Sequence, residues 1–208
     1  MRLKQVLFSQ GFGTRRECEA LVWHGLVQLG ERVLDDPDED LPTDGLVLEV
    51  RGQPWPYHAQ ALLMMNKPAG YECSRKPRHH PSVMTLLPAP LRQREVQPIG
   101  RLDEDTTGLL LFTDDGTLIH KLTSPKWHVP KVYGVDCADP VTPAQVAQLL
   151  GGVVLHDDPL PVRAAACVAS SERQLQLTLT EGKYHQVKRM VAAVGNHVEG
   201  LHRSSFGA

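Results

Sequence analysis

The stretch Gly100-Arg101-Leu102-Asp103-Glu104-Asp105-Thr106-Thr107-Gly108 stands directly before the apolar residues 109–112, and it decides the fold around it. Charged residues bracketed by glycines ahead of a fully apolar strand indicate a loop at the edge of a sheet. Reactive side chains are often held on such loops. We therefore expect at least one acid of this stretch to be a held, reactive carboxylate.

The three acids of this stretch are not equally good candidates for the reactive carboxylate. An aspartate ahead of a Thr-rich turn is most often a turn former or an N-cap, and Asp105 fits that role better than Asp103 because threonines follow it. Glu104 is expected to be solvated. Asp103 remains as the candidate, and it needs a cationic partner to stay ionised in a pocket.

The best source of that cation is the segment 181–196. Apolar residues recur there at positions i, i+3, i+4 and i+7, which predicts an amphipathic helix that ends at Gly195-Asn196. Basic or potentially basic groups lie in its opening turns: Lys183, His185, Lys188 and Arg189. The competing interpretation is a solvated basic helix face.

Two further strands flank these motifs. Residues 62–66 form an apolar strand that runs into a Lys67-Pro68-x-Gly70 turn, and Lys131, Tyr133 and Val135 alternate on one face of another strand. Tyr133 is either a core residue with a satisfied hydroxyl or a platform on which an unstacked base lies.

Composition excludes several classes of protein. The chain has 208 residues, of which 41% are hydrophobic and 22% charged, so it is neither disordered nor a coiled coil as a whole. Its length suggests a small module joined to a larger one. No apolar run approaches the roughly 18 residues of a membrane helix, and the first residues do not resemble a signal peptide. We therefore expect a soluble, cytoplasmic protein without a membrane partner.

The four cysteines are far apart and form no CxxC pair, which favours reduced, buried thiols. None of the ten histidines has the flanking pattern of a known metal site. We expect no metal.

The net charge of −2 conceals an uneven distribution. Residues 1–57 carry 6 basic and 10 acidic side chains, whereas residues 67–101 carry 7 basic and 2 acidic ones. A basic segment of this kind can attract a polyanion, although scattered charge on a solvated loop would look the same.

The N-terminal part has its own elements. Leu3, Val6 and Leu7 predict a short helix, Thr14 with Glu17 predicts a capping box on a second helix, and residues 26–34 predict a hairpin. A Pro-rich linker at 52–60 follows. Arg15 and Arg16 oppose the dipole of the second helix, which hints at an external anion.

This part resembles the S4 module, a small RNA-binding domain. The resemblance is carried by Arg2-Leu3, by residues 13–18, by Gly25-Leu26-Val27 and by Gly30. Gln28-Leu29-Gly30 replaces the usual Val-Asn-Gly turn, and residues 35–44 are strongly acidic. We therefore expect this module to bind RNA weakly by itself.

The remainder resembles pseudouridine synthases of the RsuA family. The matching motifs are Asn66-Lys67-Pro68-x-Gly70, the quoted stretch from Gly100, Lys131-x-Tyr133, the run Glu181 to Met190, and the continuation to Leu201-His202-Arg203. The resemblance implies an α+β protein: an S4-like module at 1–57, then a catalytic domain at 58–208 with a mostly antiparallel mixed sheet flanked by helices.

The resemblance also implies roles for individual residues. Asp103 matches the essential aspartate, Tyr133 the tyrosine that lies against the target base, and Lys188 the basic residue that pairs with the aspartate. Leu201 matches an apolar residue beside that tyrosine, and Arg101 precedes the aspartate. Substrate or RNA contacts are expected from these two and from Lys67, Arg15, Arg16, Lys131, His185 and Arg189.

The implied reaction is the isomerisation of uridine to pseudouridine in ribosomal RNA, with uridine 516 of 16S ribosomal RNA as the expected site. The implied partner is 16S ribosomal RNA or a small-subunit assembly intermediate, bound by a monomer without cofactor. Asp103 would attack the sugar or act as a base. The family usually continues past the Leu201-His202-Arg203 segment into another strand, so we expect either that the natural protein is short or that part of the sheet edge lies beyond residue 208.

Two other functions compete with this interpretation. The chain would be a non-catalytic S4-type RNA-binding or ribosome-assembly factor if its pocket were vestigial. A metal-dependent nuclease built on Asp103, Asp105 and histidines is the weaker alternative.

Overall fold

The structure, a computed structural model, describes residues 1–156 and 158–207. Its α-helices are α1 (Leu3–Ser9), α2 (Arg15–Trp23), α3 (Ala89–Gln93), α4 (Gly116–Thr123), α5 (Pro143–Gly151) and α6 (Gln186–Ala193). Short 3₁₀ turns span Val83–Leu86 and Pro125–Trp127.

The strands divide among three sheets. The strands of the N-terminal part are β1 (Val27–Leu29), β2 (Arg32–Val33), β3 (Val47–Val50) and β4 (Gln53–Pro56). The next four are β5 (Leu62–Lys67), β6 (Gln97–Pro98), β7 (Thr107–Thr113) and β8 (Lys131–Cys137). The last five are β9 (Val153–Leu155), β10 (Asp158–Val162), β11 (Ala166–Ser171), β12 (Gln174–Leu179) and β13 (Val198–Phe206).

Contacts divide the chain into two compact units. The first comprises Met1–Leu62, Met84–Gln97 and Thr113–Asp115, and the second comprises Leu63–Val83, Pro98–Phe112 and Gly116–Ala208. The first unit thus recruits two segments from the later sequence. The boundary that we expect between residues 57 and 58 concerns the sequence modules and stays a prediction.

Most of the first unit is built as its sequence predicts, but residues 53–56 of the expected linker form β4, which pairs with β3. Thr14 accepts a hydrogen bond from the backbone N–H of Glu17, and the Glu17 carboxylate accepts one from the N–H of Thr14, which completes the capping box. The sheet has the order β2-β1-β3-β4, and the predicted hairpin is its β1–β2 pair. Leu3, Val6 and Leu7 of α1 pack into its core.

The second unit is organised by a mixed sheet of order β11-β12-β8-β13-β7-β5, with β6 paired to β7. Three neighbouring pairs, from β11 to β13, are antiparallel, whereas β13 and β7 are parallel. The expected α+β class with a mostly antiparallel sheet is confirmed. Residues 100–106 of the quoted stretch form the loop between β6 and β7, directly before a strand as predicted, and Thr107 and Gly108 begin β7.

The structure bears on two further expectations, one about the cysteines and one about membrane-spanning helices. Cys18, Cys73, Cys137 and Cys167 are all buried free thiols, and burial raises the pKa of Cys18 to about 11. Within the described ranges, no helix combines the length and the apolar character needed to cross a bilayer.

The parallel contact between β7 and β13 depends on one glycine. A Cβ atom on Gly108 would lie 2.3 Å from the carbonyl oxygen of Arg203 and 2.7 Å from its nitrogen, and the φ of Gly108 is +105°. No other residue can take this position without moving one of the two strands.

We therefore expect Gly108→Ala to destabilise the protein by about 3 kcal/mol or more, because backbone strain and overlap add. Denaturant unfolding measures this loss. The control is Gly116→Ala in α4, where a Cβ atom meets nothing within 4 Å and the change should be neutral or stabilising by about 0.5–1 kcal/mol. Equal unfolding midpoints for the two variants would contradict the close approach.

Candidate active site

A buried lysine holds the acidic loop between β6 and β7. Lys67, at the end of β5, is 0% exposed. Its ammonium donates to four backbone carbonyl oxygens, those of Pro68 (3.0 Å), Asp103 (3.1 Å), Glu104 (3.0 Å) and Thr106 (2.9 Å). Burial lowers the pKa of Lys67, and nearby acids oppose that effect. Three of the four acceptors belong to the acidic loop, so the position of the loop depends on this one cation.

Two further hydrogen bonds fix the same loop. The N–H of Gly70 donates to the carbonyl oxygen of Glu104 at 2.8 Å, and the N–H of Leu102 donates to the Cys73 sulfur at 3.4 Å. Asp103 therefore projects from a backbone that is held on both sides.

The placement of Lys67 corrects one expectation from the sequence. We expected Lys67 to contact RNA, but its side chain is enclosed and its donors face the protein's own carbonyl groups. A lysine in this position organises the site from beneath and has no exposed surface to offer a phosphate.

Asp103 lies beside two basic side chains of the segment that leads into α6. Its Oδ1 is 3.4 Å from Nε2 of His185, and its Oδ2 is 3.6 Å from Nζ of Lys188. Neither contact is a hydrogen bond, and no other side chain among the described residues donates one to Asp103. The carboxylate is therefore close to positive charge while its lone pairs stay available.

Asp105 receives the hydrogen bonds that Asp103 lacks. Nζ of Lys188 lies 2.6 Å from Oδ1 and 2.7 Å from Oδ2 of Asp105. Burial alone would raise the pKa of Asp105, but the hydrogen bond and charge of Lys188 outweigh it, and the pKa is lowered. The expectation that Asp105 serves mainly as a turn former is incomplete, because Asp105 anchors the lysine that also approaches Asp103.

Glu104 is less exposed to solvent than the sequence suggested. Its carboxylate is 43% exposed and lies 4.0 Å from Nε2 of His80. It is therefore partly screened by the loop that carries that histidine.

The turn before α6 places His185 by its backbone conformation. His185 has φ 47° and ψ 34°, the left-handed region, which histidine tolerates better than most residues. Its ring stacks on Tyr184, with centroids 3.8 Å apart and an interplanar angle of 17°. The buried Gln186 accepts from the N–H of Lys183 and donates to Glu181, so it ties the turn together.

Tyr133 on β8 faces Arg203 on β13 in the antiparallel register, and Val135 faces Leu201. Side chains directly opposite each other share one face of a sheet, so Tyr133, Arg203 and Leu201 line the same side. Tyr133 is 8% exposed, and its hydroxyl has no hydrogen bond among the described residues. The hydroxyl can therefore form a hydrogen bond to a bound group without breaking one within the described residues.

Sequence reasoning missed Arg203, a fully buried cation. Its Nε donates to the carbonyl oxygen of Leu109 at 2.8 Å, while its Nη2 has no hydrogen-bond partner among the described residues. Lys131 lies close by, since both cations contact the ring of Phe206, at 5.2 Å for Lys131 and 4.9 Å for Arg203. The only sequence signal was its position two residues after Leu201.

The charge of this pair is not neutralised by the protein. No carboxylate within the described residues lies at ion-pair distance from Lys131 or Arg203. Burial, and secondly the charge of Arg203, lowers the pKa of Lys131. A buried cation without a counter-charge is costly. The surface formed by Lys131 and Arg203, which we call the floor of the site, therefore favours a ligand with electron-rich oxygens.

Most of the predicted site residues border one cleft of about 1160 Å³, which exceeds the roughly 300–1,000 Å³ of small-molecule sites. Asp103, Tyr133, Lys188, Leu201, Arg101, Lys131 and His185 line it together. Arg189 does not line it, and donates instead to the carbonyl oxygen of Tyr184 at 3.0 Å.

Arg15 and Arg16 belong to the first unit. Both are exposed in the first turn of α2, and the Arg15 guanidinium lies 5.5 Å from the centroid of the Phe8 ring. Across the part of the chain that the structure describes, no three His, Cys, Asp or Glu side chains are grouped as metal ligands.

Two sequence families match the chain. The model described as RNA pseudouridylate synthase matches residues 61–193, and the S4 domain matches residues 1–45. The first match contains Asp103, Tyr133 and Lys188.

Individual relatives agree with the family match. The chain is 39% identical to the uncharacterized RNA pseudouridine synthase YtzG of Bacillus subtilis (strain 168), over 100% of this chain and 88% of that protein. It is 42% identical to the ribosomal small subunit pseudouridine synthase A of Escherichia coli (strain K12), over 82% of this chain and 71% of that one. A crystal structure of a pseudouridylate synthase superposes with a TM-score of 0.68 at 32% identity, covering 99% of this chain and 88% of that one.

We expect Lys67→Met to lower the free energy of unfolding by about 2–4 kcal/mol, because it leaves carbonyl groups buried without a donor. Chemical denaturation provides the measurement, and Lys121→Met on the exposed face of α4 is the matched control. A loss no larger than that of the control would show that the four carbonyl contacts contribute nothing.

The Lys188–Asp105 pair has a defined pH dependence. The folded-state pKa of Asp105 is depressed, so the pair stabilises the fold above the ordinary carboxyl value of 3.8 and loses that contribution as the pH falls through the depressed value. We expect Lys188→Met to raise the pKa of Asp105, since the hydrogen bond and the charge of Lys188 are lost while the effect of burial remains. Carboxyl ¹³C NMR titration measures it, with exposed Asp44 as an internal reference; an unchanged midpoint for Asp105 would contradict the pairing.

Proposed function

The chain belongs to the RNA pseudouridylate synthase family and is an isomerase with an N-terminal S4 domain, and we propose that it converts one uridine of small-subunit ribosomal RNA into pseudouridine. The names of relatives support the choice of RNA, since several are ribosomal small subunit pseudouridine synthases. We propose uridine 516 of 16S ribosomal RNA as the site. The reaction would take place in the cytoplasm, on free RNA or on a small-subunit assembly intermediate.

The reaction defines what the cleft must do. The bond between N1 of uracil and C1′ of ribose breaks, the base turns, and a bond forms between C5 and C1′. C5 loses a proton and N1 gains one, so nothing is oxidised and no atom is added. The site must therefore hold a detached base, supply a group that acts at the sugar or on a proton, and handle one proton transfer.

A uridine in structured RNA must first leave its stack, which costs a few kcal/mol. In this proposal, Tyr133 lies against the flipped uracil and Leu201 packs beside it on the same sheet face. Lys131 and Arg203 on the floor would then face the electron-rich oxygens of the base. Arg15 and Arg16 of the S4 domain would add phosphate contacts, because both are exposed cations at a helix N-terminus.

The availability of Asp103 is the observation that carries the assignment of roles. Lys188 donates its short hydrogen bonds to Asp105, so Asp103 keeps its lone pairs while two basic groups stand within 3.6 Å. A carboxylate in this state can attack C1′ as a nucleophile or remove a proton as a base. Both routes use the same residue, and the proposal covers both.

We expect Asp103→Asn to lower the release of tritium from RNA labelled at C5 of uridine by at least about 10³-fold, because the amide is neither nucleophile nor base. RNA affinity should change less than about threefold, by filter binding. Asp44→Asn makes the same chemical change at an exposed position of the first unit and should keep wild-type release.

Three outcomes separate the alternatives. Tritium release by Asp103→Asn at the wild-type rate would overturn the role of Asp103. A wild-type protein that binds small-subunit RNA tightly and forms no pseudouridine in a single turnover would be a binding or assembly factor. Modification at another nucleotide, mapped by carbodiimide adducts and primer extension, would overturn the proposed site alone.

A further inference from the structure

A loop at the rim of the same cleft carries a concentration of positive charge. We call residues 74–80, with the sequence Ser-Arg-Lys-Pro-Arg-His-His, the basic loop; it contains no acidic residue. The side chains from Arg75 to His80 are all exposed. The roles proposed above are assigned to other residues.

The basic loop is closed at its base. Glu72 and Ser82 form an isolated parallel bridge. The N–H of Glu72 donates to the carbonyl oxygen of Pro81 at 3.0 Å, and the N–H of Val83 donates to that of Glu72 at 2.9 Å. The hydroxyl of Ser82 also donates to the carbonyl oxygen of Ser74. The two ends of the loop are therefore held side by side.

The side chain of Glu72 fixes the interior of the loop. Its carboxylate accepts hydrogen bonds from three consecutive backbone N–H groups, those of Arg78 (3.1 Å), His79 (2.8 Å) and His80 (2.9 Å). These donors, with those of His79 and His80 strongest, lower the pKa of Glu72 to about 2. The backbone of the loop is thus wrapped around a fixed negative charge, while its basic side chains stay in solvent.

The loop shares the cleft with the candidate catalytic groups. Lys76, Arg78, His79 and His80 line the same cavity as Arg101 and Asp103. Lys76 and Arg78 have no carboxylate at ion-pair distance among the described residues. Two acids that line the same cleft approach the loop: Glu72, which the loop backbone engages, and Glu104, which lies 4.0 Å from Nε2 of His80.

We propose that the basic loop binds the phosphate backbone of the RNA that flanks the uridine in the cleft, and that Glu72 is the positioning residue that holds Lys76 and Arg78 in place for it. This inference rests on the proposed function, because it takes RNA as the occupant of the cleft. A cleft larger than a small-molecule site leaves room for nucleotides beside the target. A loop that is already ordered also loses less conformational entropy when it binds.

The first test removes the two unpaired cations. We expect K76Q/R78Q to weaken binding of a small-subunit RNA fragment about tenfold or more at 0.1 M salt. The slope of log affinity against log salt should become shallower by about 1.4, which is two phosphate contacts at about 0.7 each for single strands. The rate of pseudouridine formation at saturating RNA should stay within about twofold. K121Q/R163Q, with two exposed cations outside the cleft, is the matched control and should leave the slope unchanged.

The second test separates positioning from simple charge. E72Q removes a negative charge, so electrostatics alone predicts tighter RNA binding. The positioning role predicts weaker binding, because the neutral amide holds the three N–H groups less firmly while every cation remains. Hydrogen exchange at the amides of Arg78, His79 and His80 should accelerate in E72Q. E31Q, an exposed glutamate of the first unit, is its control.

The outcomes distinguish this inference from the function beneath it. Wild-type protein that forms pseudouridine, with K76Q/R78Q and E72Q that bind RNA as wild type does, would overturn the inference and leave the function standing. Tighter binding by E72Q would overturn the positioning role. If the wild-type protein forms no pseudouridine but K76Q/R78Q and E72Q both bind RNA more weakly than it does, RNA binding by the basic loop is supported and the proposed function is overturned.

Discussion

The buried ammonium of Lys67 is the interaction on which the rest of the site depends. It collects four backbone carbonyl oxygens, three of them from the acidic loop, at the end of a strand in the central sheet. An enclosed ammonium is costly unless its donors are satisfied. The acidic loop supplies the acceptors for this ammonium and is therefore tied to the sheet. Asp103 is held in a fixed position relative to β5 and β7.

The aspartates of this loop differ in how closely a basic side chain contacts them. Lys188 donates its short hydrogen bonds to Asp105, whereas Asp103 has only longer contacts with Lys188 and His185. Lys131 and Arg203, which line the same cleft, lack a counter-charge within the described residues. Asp103 therefore lies half-buried in the same cleft as these two cations, an arrangement that suits a neutral base with polar oxygens that is detached and turned.

The elements of the fold follow from local patterns in the sequence, whereas the roles of Tyr133, Lys188 and Leu201 come from the family resemblance and stay predictions. The capping box of Thr14 and Glu17, the hairpin and the amphipathic α6 each follow from spacing within about ten residues, and the structure confirms them. The sequence could not reveal that Lys67 is enclosed, since no local pattern distinguishes a lysine beneath a loop from one above it. The partner of Lys188 and the burial of Arg203 depend on how distant segments meet. Glu72 acquires its hydrogen bonds only when residues 78–80 fold back over it.

The rate of the chemical step in folded Lys67→Met protein tests the central claim most directly, since Lys67 touches no substrate. Single-turnover formation of pseudouridine should be measured at saturating RNA, at a temperature where circular dichroism shows the variant folded. Our account predicts a rate at least about 100-fold below that of wild type, because a carboxylate displaced by even 1 Å loses its productive geometry. A folded variant that reacts at the wild-type rate would show that the lysine does not position Asp103.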